Sequence, residues 1–209
     1  MFADRSDAGR RLARMLLPRD LVDPLVLGLP RGGVAVARPV ADALRAPLEV
    51  FVARKIADPG NPELGVGAIA EGGGPPVFDA EALAAVGRRP EDLAEVVARE
   101  REELVRRVAR YRRGRPLPPL SGRAVVLVDD GLATGVTARA ALRALRSAGP
   151  GALLLAVPVG ASSTVAALAG EADEVVCLHA TDRLRAIGPW YDDFSQLDDA
   201  EVLALLGRG

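Results

Sequence analysis

With 209 residues, 49% of them apolar, and a formal charge of −1, the chain can bury one α/β core and lacks the basic excess of a nucleic-acid surface. One cysteine, Cys177, and one histidine, His179, exclude an internal disulfide and a multi-histidine metal cluster; both read as ordinary parts of a strand. No apolar run approaches the roughly twenty residues of a membrane span and the start is charged, so a cytoplasmic protein with small anionic partners, and neither nucleic acid nor membrane, is expected.

Ser6 or Asp7 is placed to cap a first helix with Leu12, Met15 and Leu16 on its apolar face, ending near Pro18 and packing on a sheet edge. Leu25 to Leu29 reads as a short buried strand, followed by Pro30-Arg31-Gly32-Gly33 and a helical pattern of Ala37, Val40, Ala41 and Leu44. The glycine pair lets backbone amides turn toward an anion and Arg31 adds charge at the same point, although a plain tight turn fits the pair as well. Pro39 predicts a kink or a late helix start.

Residues 48–53 read as the next strand, so Arg54 and Lys55, the only lysine in the chain, leave its end. Glycines and prolines in 57–75 surround Val66, Ala68, Ile69 and Ala70, which predicts a loop, a β-ribbon and a turn serving as a mobile flap. After the alanine-rich residues 80–87, Pro90 opens a long amphipathic helix with Leu93, Val97, Leu104, Val108 and Tyr111 on one stripe. Glutamates interleave its arginines at salt-bridge spacing, which favours a solvated face over a nucleic-acid surface.

The most informative stretch is 124–137, where the apolar run Ala124 to Val128 ends in Asp129-Asp130 and the small-residue loop Gly131-Leu132-Ala133-Thr134-Gly135-Val136-Thr137. A helical pattern with Leu142 and Leu145 on one face then begins. Strand, loop and helix make an anion site: Gly135 permits close approach, Thr134 and Thr137 offer hydroxyls, and the first amides of the helix are unpaired. Two acids at the strand end suit vicinal sugar hydroxyls or the water around a divalent cation. Further on, 152–159 is a buried strand, Ser162 to Thr164 cap a helix, and 174–178 is another strand; the alternation predicts a parallel sheet with ligands along its carboxyl edge. Residues 187–194 concentrate Trp190, Tyr191 and Phe194, and Asp198 can cap a last helix.

The run Val125-Val126-Leu127-Val128-Asp129-Asp130-Gly131-Leu132-Ala133-Thr134-Gly135-Val136-Thr137 resembles the phosphoribosyl pyrophosphate (PRPP) motif of type I phosphoribosyltransferases. That resemblance implies a three-layer α/β fold, a central parallel sheet flanked by helices with a small hood or flap. It is taken as one domain over 1–209 with an insertion at 55–116 and a carboxyl-terminal hood at 180–209. It further implies transfer of the ribose 5-phosphate group of PRPP to a nitrogenous base or similar acceptor, with release of pyrophosphate and Mg2+ as cofactor.

Carried over residue by residue, Asp129 and Asp130 would hold the ribose hydroxyls and, through water, the metal. Ala133, Thr134, Gly135, Val136 and Thr137 would hold the 5-phosphate; Arg31, Gly32 and Gly33 the pyrophosphate. Lys55, with Arg54 as alternate, would be the basic residue of the closing loop, and Trp190 or Tyr191 the platform for the base. Two departures stand out. Gly131 replaces a bulky aliphatic and is expected to loosen the turn, and Ala133 replaces the aspartate of 6-oxopurine enzymes, which argues against hypoxanthine or guanine. The rival reading is a regulatory module that binds the sugar phosphate without turnover; an ordinary Rossmann binder is disfavoured because no G-x-G-x-x-G spacing occurs. A homodimer is left open.

Overall fold

The computed structural model describes residues 1–207, so the last two positions of the expected domain and hood lie outside the described residues. Five strands, β1 (Leu25–Gly28), β2 (Leu48–Val50), β6 (Ala124–Val128), β7 (Ala152–Ala161) and β8 (Glu174–Thr181), form one sheet in the order β2-β1-β6-β7-β8. All of its pairings are parallel. Strand β6 is central and wholly buried because both its faces are covered, and its side chains alternate accordingly. Val125 and Leu127 face α5 (Val136–Ser147) through Ala141, Leu142 and Leu145. Val126 and Val128 face α1 (Arg5–Leu16) and α2 (Gly32–Leu44) through Leu12, Leu16, Val36 and Val40. Each such fully buried aliphatic contributes about 1.5–3 kcal/mol relative to exposure.

Three local expectations are corrected. Helix α1 is capped by Asp4, whose carboxylate accepts the Asp7 amide at 2.6 Å, and it covers a sheet face instead of an edge. Met15 is accordingly 47% exposed. Helix α2 starts at Gly32 and continues through Pro39, so there is no late start. The strand expected over 48–53 breaks at Phe51 and Val52: the chain leaves the parallel sheet after β2 and enters a second, antiparallel sheet as β3 (Ala53–Asp58), followed by β4 (Asn61–Ala70) and β5 (Val77–Phe78). Arg54 and Lys55 therefore lie within a ribbon, away from the carboxyl edge of the parallel sheet.

The body of that ribbon is core, not flap. Ala68 and Ala70 join the cluster around β6 and α5, while Ile56, Val66 and Ile69 pack against Leu93, Leu104 and Tyr111 of the long-helix region. The alanine-rich stretch supplies the short helix α3 (Ala80–Ala85), and Pro90–Leu93 then turns the chain into α4 (Ala94–Arg112). The tip, Pro59 to Glu63, is exposed, as are Lys55 and the turn at Gly72 and Gly73. Among the described residues, no helix is long and apolar enough to cross a membrane.

A buried ion pair fastens helix, ribbon and sheet together. Arg112 Nη2 donates to Glu71 Oε1 at 2.6 Å and to the Val50 carbonyl at 3.0 Å, and Glu71 Oε1 also accepts the Val52 amide at 2.7 Å. Burial pushes the Glu71 carboxyl up, and the Arg112 charge works against that shift. Arg112→Met should therefore strand a buried carboxylate and cost about 3–5 kcal/mol in urea unfolding, with part of the loss regained in the Arg112→Met, Glu71→Gln double variant. A double variant no more stable than the single one would contradict this assignment.

Candidate active site

Strand β6 delivers two acids to the carboxyl edge, and β1 lies beside it in register, Gly28 against Val128. The loops after both strands therefore open at one corner. The first turn of α2 lies directly on the acids: a Cβ at Gly33 would come within 2.6 Å of the Val128 carbonyl and 3.1 Å of Asp129 Oδ1, and one at Gly32 would overlap the Asp130 carboxylate. Only glycine fits at either position, and its absence of a side chain lets the helix start meet the carboxylates. The Pro30-Arg31 peptide entering this turn is cis.

The acids are half-buried. Asp129 Oδ1 accepts the Asp130 amide at 2.9 Å, and Asp130 Oδ2 accepts Arg5 Nε at 2.9 Å. Burial first, then the neighbouring Asp130 charge, hold the Asp129 carboxyl well above the usual carboxylate range. Burial raises Asp130 as well, and the Arg5 hydrogen bond and charge oppose the rise. The pair is thus an anionic site with one compensating arginine, arranged to receive hydroxyl donors or a cation.

After Asp130 the chain follows β7: the Leu132 amide donates to Val159 O and the Ala161 amide to Leu132 O, both at 2.9 Å. Thr164 Oγ1 donates to Ala133 O at 2.7 Å, which fixes the loop's outer side. Gly135 then caps α5 at φ 69°, in the left-handed region, with Thr164 Cγ2 and Leu168 Cδ1 closing the space a Cβ would need. Among the described residues no carbonyl takes the amides of Val136, Thr137 and Ala138. These donors, the Thr134 and Thr137 hydroxyls and the positive helix end line a cavity of about 170 Å³ bounded by Asp129, Gly131–Ala138 and Ile187. A phosphate group suits it in size and charge.

Gly131 is not loosened. A Cβ there would meet Ile187 Cδ1 at 2.6 Å, so an isoleucine from the chain's last third fills the space beside Gly131. Sequence inspection missed Ile187 and Arg5; the first was signalled only by the missing bulk at Gly131, and the second by nothing local.

Other expected residues are placed differently. Arg31 is half-buried and has no ion-pair partner among the described residues. Its charge is felt at Tyr111, whose hydroxyl burial and the hydrogen bond to Asp199 push up to about 12. Arg54 is committed to Glu100 at 2.6 Å, and Lys55 Nζ donates to the Glu63 carbonyl at 3.2 Å on its own ribbon. Neither is brought to the acid pair.

Tyr191 is 5% exposed, packs on Phe2 and Phe194, and donates its hydroxyl to the Asp130 carbonyl at 2.7 Å. It is a strut beneath the acids, and its buried ring leaves no face for a base. Trp190 stacks on His179 with ring centroids 5.7 Å apart. Cys177 is half-buried with its thiol raised by burial, as a core residue should be.

The residues suit a hard cation held mainly by water and ligand oxygens. Among the described residues, Asp129 and Asp130 each keep one oxygen without a partner from another residue, and no group of three or more His, Cys, Asp or Glu forms a cage.

A phosphoribosyl transferase domain model matches residues 6–193, and the chain belongs to that family. A Mycobacterium tuberculosis protein named "Putative phosphoribosyl transferase Rv0571c" is 47% identical over 211 residues, covering 100% of this chain and 47% of its own length. The chain thus spans about half the length of the curated relatives it matches. The crystal structure of TT1426 from Thermus thermophilus is 44% identical with a TM-score of 0.81, covering 98% of this chain and 97% of that one. AQ2163 from Aquifex aeolicus, at 14% identity and a TM-score of 0.55, covers 98% of this chain and 84% of its own and shares the fold. The parallel sheet flanked by helices is the type I phosphoribosyltransferase arrangement that the sequence resemblance implied.

Two outcomes follow from this geometry. Gly131→Val should cost about 1–3 kcal/mol by overpacking against Ile187, and Ile187→Ala in the same chain should relieve it; urea unfolding of the four-member cycle measures the coupling. Asp129 binds its proton more readily folded than unfolded, so its favourable contribution exists at low pH and is lost as pH rises through the raised folded value. Asp129→Asn in metal-free buffer should therefore raise the melting temperature at pH 8, with a gain that fades toward the ordinary aspartate value of about 3.9.

Proposed function

We propose that this chain transfers the ribose 5-phosphate group of PRPP to a nitrogenous base or similar acceptor, releasing pyrophosphate. One observation carries the reading: two glycine-bearing helix starts flank a half-buried acid pair at neighbouring strand ends. In this reading the 134–138 amides and threonine hydroxyls bind the 5-phosphate, and the free oxygens of Asp129 and Asp130 bind the ribose hydroxyls. Arg31 and the amides of Gly32 and Gly33 receive the pyrophosphate.

The acceptor nitrogen forms a bond to the anomeric carbon while the bond from that carbon to pyrophosphate oxygen breaks. The bonding pair leaves with pyrophosphate, and an acceptor that carries a proton on its ring nitrogen releases it to solvent. Negative charge grows on the leaving group, so Arg31, without an ion-pair partner among the described residues, is the side chain whose interaction strengthens in the transition state. Asp129 and Asp130 would hold Mg2+ through water, and the ion would supply further charge neutralisation. Arg54 and Lys55 have no assigned step, being engaged within the ribbon and α4.

A panel of purine and pyrimidine bases with PRPP and Mg2+, assayed for pyrophosphate release, tests the reading. At least one base should give turnover, Arg31→Gln should slow it about 100-fold, and Asp129→Asn, Asp130→Asn should weaken donor binding at least ~10-fold. Tight donor binding without release for any acceptor would instead establish a sugar-phosphate sensor, and no donor binding would remove both readings.

A further inference from the structure

The acids meet a cation that the reaction as described does not use. Arg5 opens α1, 125 residues from Asp130 in sequence, with its side chain 12% exposed. Its Nε donates to Asp130 Oδ2 at 2.9 Å, its Nη1 donates to the Ser195 carbonyl at 2.9 Å, and its guanidinium carbon lies 3.9 Å from the Phe194 ring centroid. Ring contact and carbonyl bond hold the guanidinium in addition to the acid. A surface arginine would gain little from such a pair, but this one has lost most of its rotamer freedom before any ligand arrives.

Asp130 is fixed at three points. Arg5 holds Oδ2, the Tyr191 hydroxyl holds its carbonyl at 2.7 Å, and its amide is bound to Asp129 Oδ1 at 2.9 Å. Among the described residues Oδ1 is left without a partner from another residue, and the side chain retains 18% exposure. No other arginine, and not Lys55, forms an ion pair with either acid among the described residues.

We propose that Arg5 is the positioning residue for the ribose-facing acid: by occupying one oxygen of Asp130 and fixing the carboxylate plane, it aims the other oxygen at a sugar hydroxyl. This deepens the phosphoribosyl reading and rests on it. Arg5 touches no substrate. Arg5 Nε also lies against Gly32, 2.8 Å from where a Cβ would sit, but its effect spares the 5-phosphate loop, which is held separately by Thr164 and by the bonds of Leu132 and Ala161. Freezing the acceptor geometry in advance removes an ordering cost from binding.

Calorimetric titration of the intact chain with ribose 5-phosphate and, separately, inorganic phosphate distinguishes positioning from a fold role. The native protein should bind ribose 5-phosphate more tightly than phosphate. Arg5→Met should bind ribose 5-phosphate about 10-fold more weakly, the value of one charge-assisted hydrogen bond, while phosphate affinity stays within about 2-fold of native. Arg5→Lys, which keeps charge but loses the planar fork, should fall between them. Equal weakening of both ligands would mark a structural clasp and overturn the proposal, as would unchanged ribose 5-phosphate affinity. A native protein with no preference for the sugar phosphate would instead sink the ribose-site reading itself. Should Arg5→Met fail to fold, Arg5→Gln, a neutral donor of similar reach, carries the same comparison.

Discussion

Everything at the carboxyl edge depends on one steric fact: helix α2 begins in contact with the end of β6. Val128 and Asp129 leave no room for a side chain at Gly33, and Asp130 leaves none at Gly32. Because β1 and β6 are parallel neighbours, both of their loops point the same way, and the two helix starts bring their partial positive charge to either side of two carboxylates. A larger residue at 32 or 33 would push α2 outward and open the corner. The site is therefore a property of the sheet order as much as of the motif.

The rest of the chain holds that corner shut. The Glu71–Arg112 pair joins the ribbon and α4 to the end of β2. The amino-terminal segment and the 190–191 segment meet over Asp130: the Phe2 amide donates to the Trp190 carbonyl at 2.8 Å, Tyr191 reaches the Asp130 carbonyl, and Arg5 reaches its carboxylate. Ile187 closes over Gly131 from the same returning segment. Two acids in a desolvated place oppose folding, and these contacts are what offset that opposition.

Periodicity and local chemistry made the strands β1, β6, β7 and β8, the helices other than α3 and the motif loop legible, because each is decided by burial pattern or by glycine and threonine at fixed positions. The strand expected over 48–53 failed because an unbroken apolar run continues through the point where the chain changes sheets; Phe51 and Val52 are buried on either course. Arg54 and Lys55 were placed at a strand tip for the same reason. The aromatic group at 190–194 was legible as a cluster, but whether Tyr191 offered a face or an anchor depended on Phe2, nearly two hundred residues away. Arg5 and Ile187 act on the motif only through tertiary contact, and a single sequence carries no local mark of that.

The central claim is that one ligand is held at once by the loop after β6 and the loop after β1. Amide chemical-shift mapping on the isotopically labelled chain, titrated with PRPP and Mg2+, tests it most directly. The account predicts that shifts concentrate at Thr134–Ala138 and at Gly32 and Gly33, and that ribose 5-phosphate alone perturbs the first group and spares the second. Perturbation by PRPP of only one loop, or of neither, would contradict it.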